Sequence, residues 1–285
     1  MSGPTRSIQV VVMVVLAMFL IVGGDAAGTV LTTAGFPPVF VAWSRFALAA
    51  VLLAPFCGLT RAEIPKMIDW RLALRAVLIV GGIVCILTAL RTEPMANVFG
   101  GFFVGPIVSY FLSALLLGER VTVARTLLLL VSFCGVLLVV RPGFGMTSGL
   151  GLAILAGCFH GCYLVATRWL AGGYRPRFLL LSQLVIGGIL LAPFAIGPLP
   201  DLTGTGVVLI TISALGSAAG NLLLVLVNRT TPAGVVAPLI YSQLLAAMVI
   251  GWLVFSQWPD GLSLLGLSII AVAGVSSVWF AGRGR

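Results

Sequence analysis

Ten long apolar stretches, separated by short polar segments, follow one another along the chain. Each stretch is close to the roughly 20 residues that an α-helix needs to cross a bilayer. Each predicted helix carries apolar residues on all of its faces, which is typical of helices that face lipid. The pattern therefore predicts an all-α integral membrane protein with ten transmembrane helices, at residues 8–29, 39–56, 72–90, 95–117, 123–140, 149–170, 178–196, 206–227, 233–255 and 262–280.

The chain also repeats itself at an offset of 138 residues, from Leu52 to Leu190. The sequence Leu-Leu-Ala-Pro-Phe occurs at 52–56 and again at 190–194. The same shift aligns Gly23 with Gly161, and the alignment continues without a gap to Val98, which aligns with Val236. Such self-similarity is typical of transporters built by duplication. It predicts two five-helix halves, at residues 1–140 and 146–285.

Lysine and arginine are unevenly divided between the two sides of this topology. Thirteen lie on the side of the membrane that holds the N-terminus and two on the other side, so the positive-inside rule places both termini in the cytoplasm. The thirteen are Arg6, Arg61, Lys66, Arg71, Arg75, Arg120, Arg125, Arg168, Arg175, Arg177, Arg229, Arg283 and Arg285, and the two are Arg91 and Arg141. Because each half has five helices, the second half must be inverted, with a central cavity between the halves.

Composition narrows the function further. Mean hydropathy is +1.21 and only 8% of residues are charged, as expected for lipid rather than water as solvent. The pI near 10.2 does not indicate nucleic-acid binding, because the charges lie in separate loops rather than on one basic face. The chain has no GxxxxGK[S/T] motif, no Cys/His metal cluster and no GxSxG elbow beside His160. We therefore expect no enzyme activity, no cofactor and no metal.

Polar residues interrupt several of the predicted spans. Glycine and serine at four-residue steps favour close helix packing. Larger polar groups are costly in lipid and need a partner or a water-filled cavity. The candidate substrate-binding residues, including an apolar wall, are His160, Tyr163, Asn97, Asn221, Tyr241, Gln243, Phe102 and Met18. Helix packing, and lipid exposure of the aromatic residues, remain alternatives. His160 is either a proton carrier or a neutral hydrogen-bonding group.

Asp25 and Arg45 are expected to be the only charges well inside spans, and we predict that they pair, because pairing lowers the cost of burying each. The pair is either a structural clamp or part of a gate, in which Asp25 meets a cationic substrate group. The repeat places Tyr163 and Gln183 at the equivalent positions, which predicts a neutral version of the contact. Kinks are predicted in the fourth and ninth helices, which contain Pro106 and Pro238.

The turn Gly118-Glu119-Arg120 follows the fourth helix, and the fifth contains Gly135. With the ten spans and the inverted repeat, these features resemble the EamA-type permeases of the drug/metabolite transporter (DMT) superfamily. The second half departs from that pattern at residues 256–258, which read Ser-Gln-Trp. Within the family, the chain looks most like bacterial YddG-type exporters of aromatic and other amino acids.

The resemblance implies a secondary transporter that exports small metabolites, amino acids above all, by alternating access and as a monomer. A drug or nucleotide-sugar permease of the same fold is the alternative within transport. A lipid-modifying intramembrane enzyme, a channel and a scaffold are the alternatives outside it. Export is either proton-coupled or facilitated.

Overall fold

The structure is a computed structural model that describes residues 4–89, 92, 95–141, 147–197, 201–255 and 260–283, with side chains at 8–89, 92, 98–141, 147–197, 201–253 and 260–277. The described residues form twelve α-helices and no strand. The helices are α1 (Pro4–Thr33), α2 (Pro38–Cys57), α3 (Trp70–Ala89), α4 (Met95–Phe102), α5 (Gly105–Leu117), α6 (Val123–Val140), α7 (Ser148–Leu170), α8 (Pro176–Leu191), α9 (Gly204–Thr230), α10 (Ala233–Ile240), α11 (Gln243–Phe255) and α12 (Gly261–Arg283).

These helices confirm the ten predicted spans. Eight spans are single helices, while α4 with α5 and α10 with α11 form two broken spans. Within the described residues, nine segments are long and apolar enough to cross a membrane. The tenth span is α12, a helix of 23 residues.

Helix ends follow local sequence signals. Pro38 and Pro176, which are repeat partners, begin α2 and α8, where a missing N–H costs little. Thr122 and Thr147 cap α6 and α7 by accepting a backbone N–H on their hydroxyl oxygens. The Asp69 carboxylate likewise accepts the backbone N–H of Arg71, 3.0 Å away, at the start of α3. That third helix therefore begins before residue 72.

The two broken spans are interrupted at equivalent places. The first break lies between Phe102 and Gly105 and the second between Ile240 and Gln243, which is the same offset of 138 residues. At the crossing, the Tyr241 hydroxyl donates to the carbonyl oxygen of Phe103, its repeat partner, at 3.1 Å. The predicted distortion of both spans is confirmed, although the prolines differ in place, since Pro106 begins α5 and Pro238 lies inside α10.

The two halves pack as an inverted pair. Helix α1 lies along α9 and its repeat partner α7 lies along α3, while α2 pairs with α8 and α6 with α12. Every one of these contacts joins one half to the other. Glycine permits the closest of them, since a Cβ on Gly216 would come 2.7 Å from the carbonyl oxygen of Leu20. The core therefore lies between the halves.

The loops collect at two ends of the bundle, as alternating spans require. At the near end, Arg175 before α8 contacts Glu63 before α3, and Arg168 at the end of α7 contacts Glu119 before α6. At the far end, Arg141 after α6 pairs with Asp260 before α12. The names near end and far end are used below for these two sides.

Candidate functional site

A small cavity lies between the halves, among α2, α3, α8 and α9. Its volume is about 20 Å³, which is enough for roughly one water molecule. Both halves supply its wall, through Arg45, Phe46, Ile79 and Ile83 from the first and Leu180, Gln183, Leu184, Ala214, Ser217, Ala218 and Asn221 from the second. The polar members of this wall meet mainly apolar ones, as in a ligand site that has closed.

The far cluster, formed by Gly24, Asp25, Arg45 and Ser213, borders the cavity on one side. Arg45 Nη1 lies 2.6 Å from Asp25 Oδ1, so the predicted ion pair is present. Arg45 Nη2 donates to the Gly24 carbonyl at 3.1 Å, and the Ser213 hydroxyl donates to the same oxygen at 2.8 Å. Among the described residues the buried Nε of Arg45 has no hydrogen-bond acceptor. Of the five N–H groups of this guanidinium, two are used in these contacts, and the Nε–H is among those left for a ligand.

The near cluster, formed by Arg75, Tyr163, Thr167, Gln183 and Asn221, borders the cavity on the other side. The Tyr163 hydroxyl lies 2.9 Å from Gln183 Oε1 and 3.1 Å from Asn221 Oδ1. Since Tyr163 and Gln183 are the repeat partners of Asp25 and Arg45, the neutral version of the contact is also present. Two of the cavity's polar wall residues thus belong to a second hydrogen-bonded group.

Arg75 corrects two of the sequence-based predictions. The count of basic residues treats Arg75 as part of the cytoplasmic loop before α3, and Asp25 and Arg45 are expected to be the only charges well inside spans, but Arg75 lies in α3 with 1% of its surface exposed. Its guanidinium donates to Thr167 Oγ1 at 2.8 Å, to the Leu179 carbonyl at 2.8 Å and to the Tyr163 hydroxyl at 3.0 Å. All three acceptors are neutral, so the near cluster carries a net positive charge.

Arg75 and Gln183 are the functional candidates that the sequence reasoning missed as site residues. The signal for Arg75 was Asp69, whose carboxylate caps α3 and places Arg75 between one and two turns inside the helix. Gln183 could have been identified as a site residue because it aligns with Arg45 in the repeat. Ser217, which also lines the cavity, belongs to a serine stripe that was read as helix packing.

Ionic contacts join the halves at the near end. Glu119 accepts from Arg168 Nε at 3.0 Å and from the backbone N–H of Ala233 at 2.8 Å. Glu63 pairs with Arg175 at 2.5 Å, and this contact holds the pKa of the Glu63 carboxyl at about 2, below its ordinary value of 4.5. The bound guanidinium favours the charged carboxylate, and both contacts tie one half to the other at the near end.

The remaining candidates lie outside the cavity wall. The rings of His160 and Phe102 are 5.2 Å apart, and those of His160 and Tyr163 are 5.9 Å apart. Tyr241 packs against Phe103 at 5.8 Å where the broken spans cross. Met18 and Gln243 are buried in the bundle, and the Asn97 side chain lies outside the described residues. Of the eight candidates, the structure brings Tyr163 and Asn221 together at the cavity.

This geometry is that of an integral membrane carrier, with two inverted halves and a closed cavity that both halves line. The chain belongs to the EamA-like transporter family, whose model matches residues 8–141 and 147–279. That family is part of the drug/metabolite transporter superfamily, as the sequence analysis expected. The chain is thus a multi-pass membrane permease for small molecules and not an enzyme.

Individual relatives carry more specific names. A riboflavin transporter of Rhizobium johnstonii is 27% identical over 84% of this chain and 80% of its own length. A riboflavin transporter of Vibrio cholerae is 28% identical over 84% and 82%. The pseudopaline exporter CntI of Pseudomonas aeruginosa is 27% identical over 76% and 75%. A crystal structure with 15% identity superimposes with a TM-score of 0.77 over 99% of both chains, which shows a shared fold.

Proposed function

We propose that this permease exports small zwitterionic metabolites, α-amino acids above all, across the bacterial inner membrane by alternating access. The observation that carries the proposal is the cavity between the inverted halves, whose wall includes Arg45, a side chain with a buried Nε that has no acceptor among the described residues. A buried donor of this kind is costly unless a ligand satisfies it. The proposed transport unit is a single chain, with halves at 1–140 and 146–285 that rock against each other.

The substrate's carboxylate is the proposed acceptor for Arg45. Guanidinium and carboxylate form strong charge-assisted hydrogen bonds. In the closed structure Asp25 occupies part of the guanidinium, at 2.6 Å. A substrate carboxylate competes with Asp25 for Arg45. The wall residues Phe46, Ile79 and Leu184 then receive an apolar side chain.

Orientation and direction follow from charge. The near-end loops carry most of the basic residues, which assigns the near end and both termini to the cytoplasm. The ion pairs of Glu63 with Arg175 and of Glu119 with Arg168 close that end. A substrate from the cytoplasm enters only after they separate. Export is also supported by the exporter among the relatives.

Riboflavin is the second candidate substrate, because two of the similar proteins are named riboflavin transporters. A flavin ring would place a carbonyl oxygen, rather than a carboxylate, at Arg45. Both an amino acid and the flavin ring are larger than the cavity of about 20 Å³, so either substrate requires the two halves to open, and the flavin requires the wider opening. An amino acid and a flavin therefore present different groups to Arg45, a carboxylate and a carbonyl oxygen. Substitution of Arg45 can distinguish the two substrates.

Reconstitution in liposomes tests the proposal. Vesicles with the purified chain are loaded with labelled phenylalanine, threonine or methionine, or with riboflavin, and efflux is followed. We expect saturable efflux of an amino acid that falls at least ten-fold in Arg45→Gln, because the charge-assisted hydrogen bond is lost. Saturable flux of riboflavin alone would replace the first candidate by the second, and no flux of either would overturn both.

The same vesicles test coupling. With an imposed pH gradient, a proton antiporter accelerates in one direction of the gradient, whereas a facilitator does not respond. The decisive comparison is wild type against His160→Ala. A gradient response that disappears in the variant identifies His160 as the proton carrier, and a response that persists assigns His160 to the neutral role.

A further inference from the structure

The Tyr163 hydroxyl faces more acceptors than it can satisfy. Its oxygen lies 3.0 Å from Arg75 Nη2, 2.9 Å from Gln183 Oε1 and 3.1 Å from Asn221 Oδ1. A guanidinium can only donate, so the phenol oxygen accepts from Arg75. The hydroxyl carries a single hydrogen. It therefore satisfies Gln183 or Asn221, and the other amide oxygen receives nothing from Tyr163.

This shortage does not depend on how the amide groups are oriented. Asn221 is fixed, because its Nδ2 donates to the Ser217 carbonyl at 2.8 Å and so turns Oδ1 towards Tyr163. If the Gln183 amide is turned over, its Nε2 donates to Tyr163 and the hydroxyl satisfies Asn221. The Gln183 oxygen is then the one that Tyr163 does not reach. In both arrangements one amide oxygen is open.

The two amide groups that share the Tyr163 hydroxyl belong to residues of the cavity wall. Gln183 and Asn221 both line the cavity, whereas Tyr163 and Arg75 lie behind them with 0% and 1% of their surface exposed. A ligand in the cavity touches the amide groups and does not touch Tyr163 or Arg75. Arg75 occupies one lone pair of the phenol and holds the Tyr163 ring at 4.9 Å from its guanidinium. These two residues are positioning residues.

We propose that the single hydrogen of Tyr163, which Arg75 holds in place, leaves one amide oxygen of Gln183 or Asn221 open, and that this oxygen selects substrates with a hydrogen-bond donor next to their acceptor group. The acceptor group binds Arg45 Nε and the donor binds the open oxygen. This inference rests on the proposed function of the cavity. The shared ligand chemistry is a donor adjacent to an oxygen acceptor, which both an α-amino acid and the imide edge of a flavin possess.

The proposal predicts effects of opposite sign for neighbouring substitutions. In Asn221→Leu or Gln183→Leu, the Tyr163 hydrogen satisfies the one remaining amide oxygen, so no open acceptor is left and the preference for a donor disappears. In Tyr163→Phe both amide oxygens are open, so the preference is retained or increased. A merely structural role would make all three variants weaker in the same way, without changing the choice between two ligands.

Pairs of ligands in which one member lacks the donor provide the test. L-Phenylalanine is compared with 3-phenylpropionate, and riboflavin with 3-methylriboflavin. Binding is measured as thermal stabilisation of the detergent-purified chain, and flux is measured separately in liposomes. In wild type we expect the donor-bearing member of one pair to be favoured about ten-fold or more, because a site built for a donor rejects the analogue that lacks it. The pair that shows this preference identifies the source of the donor.

The variants decide the mechanism. The expected result is a ratio near one in Asn221→Leu and Gln183→Leu, and a ratio at or above the wild-type value in Tyr163→Phe. Tyr110→Phe serves as control, because it removes a buried tyrosine hydroxyl that bonds Thr126 at 3.1 Å, away from the cavity. An unchanged ratio in both leucine variants, or a lost ratio in Tyr163→Phe, would overturn the proposal. If Tyr163→Phe does not fold, the leucine variants alone decide.

The two measurements keep this inference separate from the proposed function. Donor preference in binding without any flux sustains the specificity role and contradicts transport of these ligands. Saturable flux without donor preference sustains transport and contradicts the specificity role. If neither pair binds or moves, both proposals fail for these substrates.

Discussion

The far cluster and the near cluster contain equivalent side-chain contacts that are made by different chemical groups. Asp25 and Arg45 form a charged contact at 2.6 Å, and their repeat partners Tyr163 and Gln183 form a neutral one at 2.9 Å. A side-chain contact between the first two helices is thus present in each half, charged in the first and neutral in the second.

The difference also explains where the unsatisfied groups lie. In the far cluster the surplus is a donor, Arg45 Nε, and in the near cluster it is an amide acceptor. Between them lies the cavity, which therefore offers one group of each kind. A perfectly symmetric duplicate would offer the same group twice, so the asymmetry gives the cavity a direction along which a polar ligand can align.

The largest expected effect comes from breaking the charged contact. The side chain of Arg45 is only 13% exposed, and Asp25→Asn removes its counter-ion. A buried charge without a counter-ion is strongly destabilising. Because Asp25 itself is 41% exposed, we expect a loss of about 2 kcal/mol rather than the full penalty of a fully buried pair. In the double-mutant cycle with Arg45→Gln, the coupling energy measured by unfolding in detergent should be about 1–2 kcal/mol. Additive effects would show that the two side chains act independently.

Breaking the neutral contact should have a smaller effect. In the cycle of Tyr163→Phe with Gln183→Leu, we expect a coupling energy of about 1 kcal/mol, which is typical of one hydrogen bond between uncharged groups. The same unfolding assay applies. Coupling as large as that of Asp25 with Arg45 would mean that charge is not what distinguishes the two clusters.

The smallest effect should appear at the near-end ion pair. The pKa of Glu63 is held at about 2, below its ordinary 4.5, chiefly by the hydrogen bond from Arg175. Because the folded-state pKa is the lower one, this pair stabilises the fold fully above about pH 4.5, and the contribution is lost as the pH falls towards 2. Glu63→Gln should therefore show a weaker loss of stability with acid than wild type.

Asp260 at the far end is the matched control for that titration. Its pKa is also lowered to about 2, first by the backbone N–H of Ser263 and then by Arg141. Its side chain is 56% exposed, so solvent screening weakens the contact. Acid melting curves of Asp260→Asn should stay closer to wild type than those of Glu63→Gln, and the reverse order would contradict a role for Glu63 in joining the halves.

The sequence predicted the fold well because lipid imposes simple rules. Span length, basic loops and the 138-residue offset are enough for ten helices in two inverted halves. The offset also predicted the contact of Tyr163 with Gln183, since equivalent residues in equivalent helices meet in the same way. The positions of the breaks at Phe103 and Tyr241 were harder to predict from the sequence. Pro106 follows the first break, whereas Pro238 precedes the second.

The site was predicted less completely, because packing decides which polar face meets the cavity. Arg75 looks like any cytoplasmic arginine until its helix is seen to begin at Trp70. Met18 is a polarisable side chain suited to a ligand wall, yet it lies in the bundle's core with 1% exposure. Nothing in a single helix's sequence distinguishes the face towards the cavity from the face towards a neighbouring helix.

Accessibility of the cavity from both sides is the most direct test of the central claim. Ser217 lines the cavity, and a Ser217→Cys variant in a background without the five native cysteines can be labelled with a charged thiol reagent that does not cross membranes. Everted and right-side-out vesicles present opposite sides to the reagent. We expect labelling in both preparations, slowed by a transported substrate, while a Ser268→Cys variant on the lipid-facing side of α12 is labelled in neither. Labelling of residue 217 from one side only, or labelling that substrate does not affect, would contradict alternating access through this cavity.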